Sequence, residues 1–124
     1  VSAKGMSALP SSLFQKPAIP LVDGRGHIWS PFSTDINELH QYTLGHQVTK
    51  AYDFTSAIRV TMKEFCPDKL VLLGPGNTLG GSIGQIMIEN NWLDVESKPT
   101  FSQRQQSNPY LISMGMEEQR GTIA

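Results

Sequence analysis

The run Lys69-Leu70-Val71-Leu72-Leu73, passing at once into Gly74-Pro75-Gly76-Asn77, constrains the fold more than any other stretch of the 124 residues. A continuous apolar run lacks the alternation of a strand with one wet face. It is the pattern of a strand covered on both faces, as in parallel sheets. Before it, Asp53 offers an N-cap, and Phe54, Ile58, Thr61, Met62 and Phe65 recur at the helical period until Pro67 ends the run. After it, residues from about Thr78 to Asn91 read as a second helix, with Leu79, Ile83, Ile86 and Met87 along its buried side. Helix, buried strand, glycine turn, helix is the order of an α/β fold: a mostly parallel sheet with flanking helices.

The flanks carry weaker signals. Residues 1–17 are small, polar and punctuated by proline, and read as an extended lead-in without a core face. Ala18 to Val22, the Asp23-Gly24-Arg25-Gly26 turn and His27-Ile28-Trp29 read as a hairpin, with Pro17 and Pro20 at its edge. Asp35 with Glu38 three residues on has the spacing of a capping box. Ile36, Leu39 and Thr43 then share a helical face, with Gly45 placed to stop it. The expected organisation is a lead-in over 1–17, an α/β segment over 18–95 and a polar C-terminal extension over 96–124. In that extension Tyr110-Leu111-Ile112 is the single strand-like run, and the last residues read as loose.

Ten basic residues against eleven acidic leave a net charge of −1. Such a surface has no electrostatic reason to seek nucleic acid. The longest apolar runs are far too short to cross a bilayer. One cysteine, Cys66, forms no internal disulfide and closes the apolar stripe before Pro67, so it reads as a small core residue. A soluble cytoplasmic chain without membrane partners is expected. It begins at Val1 rather than Met, which reads as a cut or processed start.

Three constellations invite a chemical reading. Gly80-Gly81-Ser82-Ile83-Gly84 matches G-x-S-x-G, but a nucleophile elbow needs its serine on the turn directly after a strand. Ser82 lies about one turn inside the expected helix, and His27, His40 and His46 all precede it. The motif reads as small residues that let the helix pack closely. Gly74-Pro75-Gly76-Asn77 lies where a helix N-terminus attracts a phosphate or carboxylate, although its spacing is neither G-x-G-x-x-G nor the Walker pattern. The other reading is a tight turn whose glycines adopt angles closed to other residues. His40 and His46 do not share a helical face, and without a Cys or carboxylate set nearby no metal is expected. His40 reads as solvent-exposed, or as a favourable charge at a helix C-terminus when protonated.

Gly45-His46-Gln47-Val48, Tyr52-Asp53-Phe54-Thr55 and Asp68 through Gly76 together resemble the C-terminal part of the malonyl-CoA:acyl-carrier-protein transacylase family, the ACP S-malonyltransferases. The resemblance runs from near Phe14 to near Trp92, about two-thirds of the chain. Asn108 to Arg120 is similar to an extension found in a subset of the family. It implies the C-terminal part of a large α/β-hydrolase-like subdomain. In that family the serine of a Gly-His-Ser-x-Gly elbow, activated by a histidine, takes the malonyl group from CoA. The acyl-enzyme then passes it to the thiol of acyl carrier protein, and an arginine pairs with the malonyl carboxylate. Those three residues belong to stretches upstream of Phe14, and residues 1–13 match none of them.

The resemblance places Gln47 where a backbone carbonyl steadies the catalytic imidazole. It also brings Gly74, Pro75, Gly76 and Asn77 close to the ligand. It implies fatty acid biosynthesis, with malonyl-CoA and acyl carrier protein as partners of the parent enzyme and no further cofactor. The segment alone is expected to be inactive. Sheet and helix surfaces without their usual cover are expected to drive self-association. The rival reading is a small stand-alone α/β module, non-enzymatic, holding a phosphorylated ligand at the Gly74–Gly76 turn. A third is a non-catalytic interaction or scaffold protein.

Overall fold

A hairpin two residues deep organises the N-terminal half of the computed structural model, which describes residues 1–76 and 78–123. The chain divides into two compact units, Val1–Thr61 and Met62–Ala124. Both mix helix with a two-stranded sheet, so the fold is mixed α/β. The first sheet is antiparallel and the second parallel. Among the described residues, the expected mostly parallel sheet is one parallel pair beside one antiparallel pair.

In the first unit β1 (Leu21–Val22) pairs with β2 (Ile28–Trp29), Leu21 opposite Trp29 and Val22 opposite Ile28. The expected hairpin forms, with shorter strands. Asp35 caps α2 (Ile36–Gln41) by accepting from the amides of Asn37 and Glu38. The helix does not stop at Gly45. It widens into a π turn at Tyr42–His46 and ends in α3 (Gln47–Thr49). Gly45 is small for another reason: a Cβ there would stand 2.9 Å from the Met6 Cε.

Met6 belongs to α1 (Ser2–Ala8), and a short 3-10 turn follows at Ser11–Leu13. Much of the expected extended lead-in is therefore helical. Ser2 Oγ donates to the Leu44 carbonyl at 2.6 Å, which ties α1 to the π turn. The local sequence lacks an apolar stripe because one glycine-sized gap in another helix does the docking. The start of α4 (Phe54–Phe65) rests on the hairpin: Asp53 N–H donates to the Gly24 carbonyl at 2.8 Å. Trp29, Tyr42 and Ala57 are buried in this unit.

In the second unit β3 (Leu70–Leu72) lies parallel to β4 (Leu111–Ser113), with Leu70 opposite Leu111 and Leu72 opposite Ser113. Between them run α5 (Leu79–Glu89), a 3-10 turn at Trp92–Asp94 and α6 (Lys98–Ser107), and α7 (Glu117–Arg120) follows β4. Met62, Ile83, Ile86, Met87, Val95, Tyr110, Leu111 and Ile112 are buried. The polar extension thus supplies core strand as well as surface.

Its polar residues have structural work. Gln105 Oε1 accepts from the amides of Tyr110 and Leu111, and its Nε2 donates to the Leu111 carbonyl. Gln119 Oε1 accepts from the Ser113 amide. Two glutamine side chains therefore satisfy an edge of β4 that water or another strand would otherwise take.

The other strand departs from expectation. Val71 is 42% exposed and Leu73 83%, so the run is not covered on both faces. A two-stranded sheet has an outer side that further strands would fill. Leu79 is also exposed, while Ile83, Ile86 and Met87 of the expected stripe are buried. Cys66 is exposed rather than a core residue, because the chain leaves α4 through a left-handed φ of 44° at that position. Among the described residues no helix is long and apolar enough to cross a membrane.

Candidate functional site

At the carboxyl end of β3, Gly74 and Gly76 have φ of 90° and 79°, the region a side chain disfavours. The turn is braced from the β4 side: Ser113 Oγ donates to the Gly76 carbonyl at 3.4 Å. Gly115 comes so close that a Cβ on it would stand 2.1 Å from the same oxygen. A cavity of about 560 Å³ opens beside the turn, lined by Val71, Leu73, Gly74, Pro75, Gly76 and Thr78 among others. None of its described lining residues is charged, so an anion here would meet backbone amides and a threonine hydroxyl. Asn77, expected in this turn, lies outside the described residues.

Gln47 belongs to the first unit and opens α3 with an exposed side chain. Lys50 N–H donates to the His46 carbonyl at 2.9 Å. The Gln47 carbonyl thus stands in the last turn, where intrahelical donors run out.

A second arrangement in this unit was not foreseen. The Asp23 carboxylate, 2% exposed, accepts five hydrogen bonds. Oδ1 receives the amides of Arg25 at 2.8 Å and His27 at 3.0 Å. Oδ2 receives Arg25 Nε at 3.1 Å, Arg25 Nη2 at 2.6 Å and Trp29 Nε1 at 3.1 Å. Burial pushes this carboxyl up, but the Arg25 side chain and the two amides outweigh it and hold it below the usual aspartate value. The Arg25 guanidinium lies 4.5 Å from the centre of the Tyr42 ring. Tyr42 stacks on His46, and its hydroxyl accepts from the Gly24 amide at 2.8 Å.

Arg25, His27, Glu38, Gln41, Tyr42 and His46 surround an open cleft of about 420 Å³ here. Asp23 already balances the arginine, so the cluster acts first as the clasp of the hairpin turn. The aspartate at the start of Asp-Gly-Arg-Gly is a legible turn signal. Its bonds to Trp29 and Arg25 side chains leave no such trace.

The remaining sequence candidates separate cleanly. Ser82 is exposed within α5, away from any strand-to-helix turn, as expected. Gly84 is the closely packed member of that motif: a Cβ would stand 2.9 Å from the Phe101 ring. His40 lies in the last turn of α2, as expected, but its ring is engaged rather than free. Its Nε2 lies 2.5 Å from the Leu9 carbonyl and its ring meets the edge of Phe14. Among the described residues no three His, Cys, Asp or Glu side chains converge as a metal site.

The residues define a mixed α/β protein with a braced glycine turn beyond its parallel strand. No family model, curated protein or solved structure matches the chain.

Proposed function

We propose that this chain is the C-terminal segment of an ACP S-malonyltransferase-type acyltransferase, from the large α/β-hydrolase-like subdomain of a cytoplasmic enzyme of fatty acid biosynthesis. One observation carries the reading: β3, paired in parallel, runs into Gly74-Pro75-Gly76 and then into α5, with the turn at the carboxyl end of the strand. Ligands of open α/β sheets gather at that end. The parent enzyme moves malonyl from CoA to acyl carrier protein through a serine ester. Gln47 contributes a carbonyl that orients the catalytic histidine, and serine and histidine lie on another part of the enzyme or another chain. The exposed Leu73 and Val71 are where such a segment would meet the rest of its sheet, or a second copy of itself.

The test is incubation of the 124-residue chain with labelled malonyl-CoA. No serine-bound acyl group is expected, and a covalent acyl adduct on a serine of this chain would sink the proposal. The open cavity beside Gly74 favours the second reading, a non-enzymatic module for a phosphorylated ligand. That reading requires a thermal shift with CoA or a nucleotide that disappears on substitution at Gly76.

A further inference from the structure

The cleft beside the Asp23 clasp is built by elements that converge from separate stretches of the first unit. Arg25, His27 and Trp29 come from the hairpin, Glu38 from α2, and Tyr42 and His46 from the π turn that continues it. One-turn π widenings of a helix are rare and recur at functional sites. This one carries two of the lining rings.

The floor of the cleft is fixed. His27 packs edge-on against Trp29 with ring centres 4.6 Å apart, and His46 stacks on Tyr42 at 5.6 Å. Trp29 and Tyr42 stand 6.0 Å apart, so the rings form one continuous row. The two inner rings are buried. The imidazoles reach solvent, and their ring nitrogens make no hydrogen bond among the described residues.

Arg25 is held as firmly. Its Nε and Nη2 both donate to Asp23 Oδ2, and its guanidinium lies over the Tyr42 ring. That leaves Nη1, whose N–H donors meet no acceptor among the described residues, on a side chain 41% exposed. A guanidinium already locked by a buried carboxylate loses little freedom when it takes a second acceptor.

Charge selects the ligand. Asp23 sits against the arginine at 2.6 Å and cancels its charge. Glu38 is exposed and forms no ion pair among the described residues, where Arg25 with Asp23 is the single one. With both imidazoles neutral, the cleft therefore carries one unmatched carboxylate beside one unused guanidinium nitrogen. A simple anion would satisfy Nη1 but meet Glu38. A simple cation would satisfy Glu38 but leave Nη1 to water. A small molecule with a carboxylate and an ammonium group answers both and brings no net charge.

We infer that this cleft of about 420 Å³ binds a free α-amino acid, its carboxylate on Arg25 Nη1 and its ammonium group on Glu38. His27 and His46 offer ring nitrogens to the same ligand. The site uses neither the Gln47 carbonyl nor the Gly74–Gly76 turn, so it stands independently of the acyltransferase reading.

Trp29 supplies the readout, because its Nε1 donates to the same Asp23 Oδ2 that Arg25 grips. Trp92, in the other unit, is the control. The indole N–H resonances of the 15N-labelled full chain are followed at about pH 7.5, where an ordinary imidazole is neutral, while glycine, acetate or methylammonium is added at constant ionic strength. Trp92→Phe assigns the two signals. Glycine should move the Trp29 signal saturably with Trp92 unmoved. It should half-saturate at a concentration about fivefold or more below that of acetate or methylammonium, each of which carries only one of its charges. Glu38→Gln, an exposed change that leaves the clasp intact, should weaken glycine binding about fivefold. No saturable shift with glycine, an equal shift of both indoles, acetate or methylammonium binding as tightly as glycine, or undiminished binding in Glu38→Gln overturns the inference.

Discussion

Replacing Asp23 by alanine removes the acceptor of five hydrogen bonds at once and leaves their donors behind. The Trp29 indole is fully buried and cannot reach water without opening the hairpin. A donor stranded in that way costs about 1–3 kcal/mol. The Arg25 side chain is 41% exposed and rehydrates, so its ion pair is discounted to a surface contribution of about 0–1 kcal/mol. The amides of Arg25 and His27 are half-buried and fall between. Asp23→Ala should therefore cost about 3 kcal/mol, mostly through the stranded indole and turn amides. Asp23→Asn keeps one carbonyl acceptor while losing the charge, and should cost about 1–1.5 kcal/mol.

Urea unfolding followed at the Trp29 indole resonance measures both. The pH dependence gives an independent check. The folded Asp23 carboxyl is held below its unfolded value, so the unfolded state takes up its proton first as pH falls. Its contribution is fully present above the unfolded pKa of about 4 and is lost as pH drops through the lower folded value. Asp23→Asn should remove that part of the acid slope. A cost below about 1 kcal/mol for Asp23→Ala, or an unchanged slope in Asp23→Asn, refutes the clasp.

The braced turn makes an ordered prediction. Gly115→Ala drives a Cβ against the Gly76 carbonyl and should destabilise by about 1–3 kcal/mol through overpacking. Gly76→Ala meets nothing within 4 Å and bears only the left-handed backbone cost of about 1–2 kcal/mol, so it should be the milder change in thermal denaturation. Self-association through the open side of β3 should raise the light-scattering mass with concentration, and Leu73→Lys should suppress the rise; a concentration-independent monomer counts against it.

Elements whose signals are local were legible. The Asp53-Phe54 start and the stripe through Met62 and Phe65 prescribe α4, and Asp23-Gly24 prescribes the hairpin turn. What escaped depends on distant partners. Helix α1 has no stripe of its own, because Ser2 and Met6 dock on Leu44 and Gly45. Ser97, which accepts from the Thr100 amide, and Pro99 two residues on are a helix start that composition alone obscured. The Gln- and Ser-rich stretch then reads as solvent-loving until Gln105 meets the β4 backbone.

The site was legible unevenly for the same reason. Gly74 and Gly76 announce a turn because only glycine enters positive φ without strain. Val71 and Leu73 looked like core because apolar type is visible in sequence and the number of neighbouring strands is not.

The acyltransferase reading is tested most directly by sequencing the reading frame that encodes Val1 in the direction of its start. The expected result is an in-frame Gly-His-Ser-x-Gly motif followed by a separate histidine segment before Val1. A frame that opens at Val1, or extends upstream without that motif, contradicts the assignment.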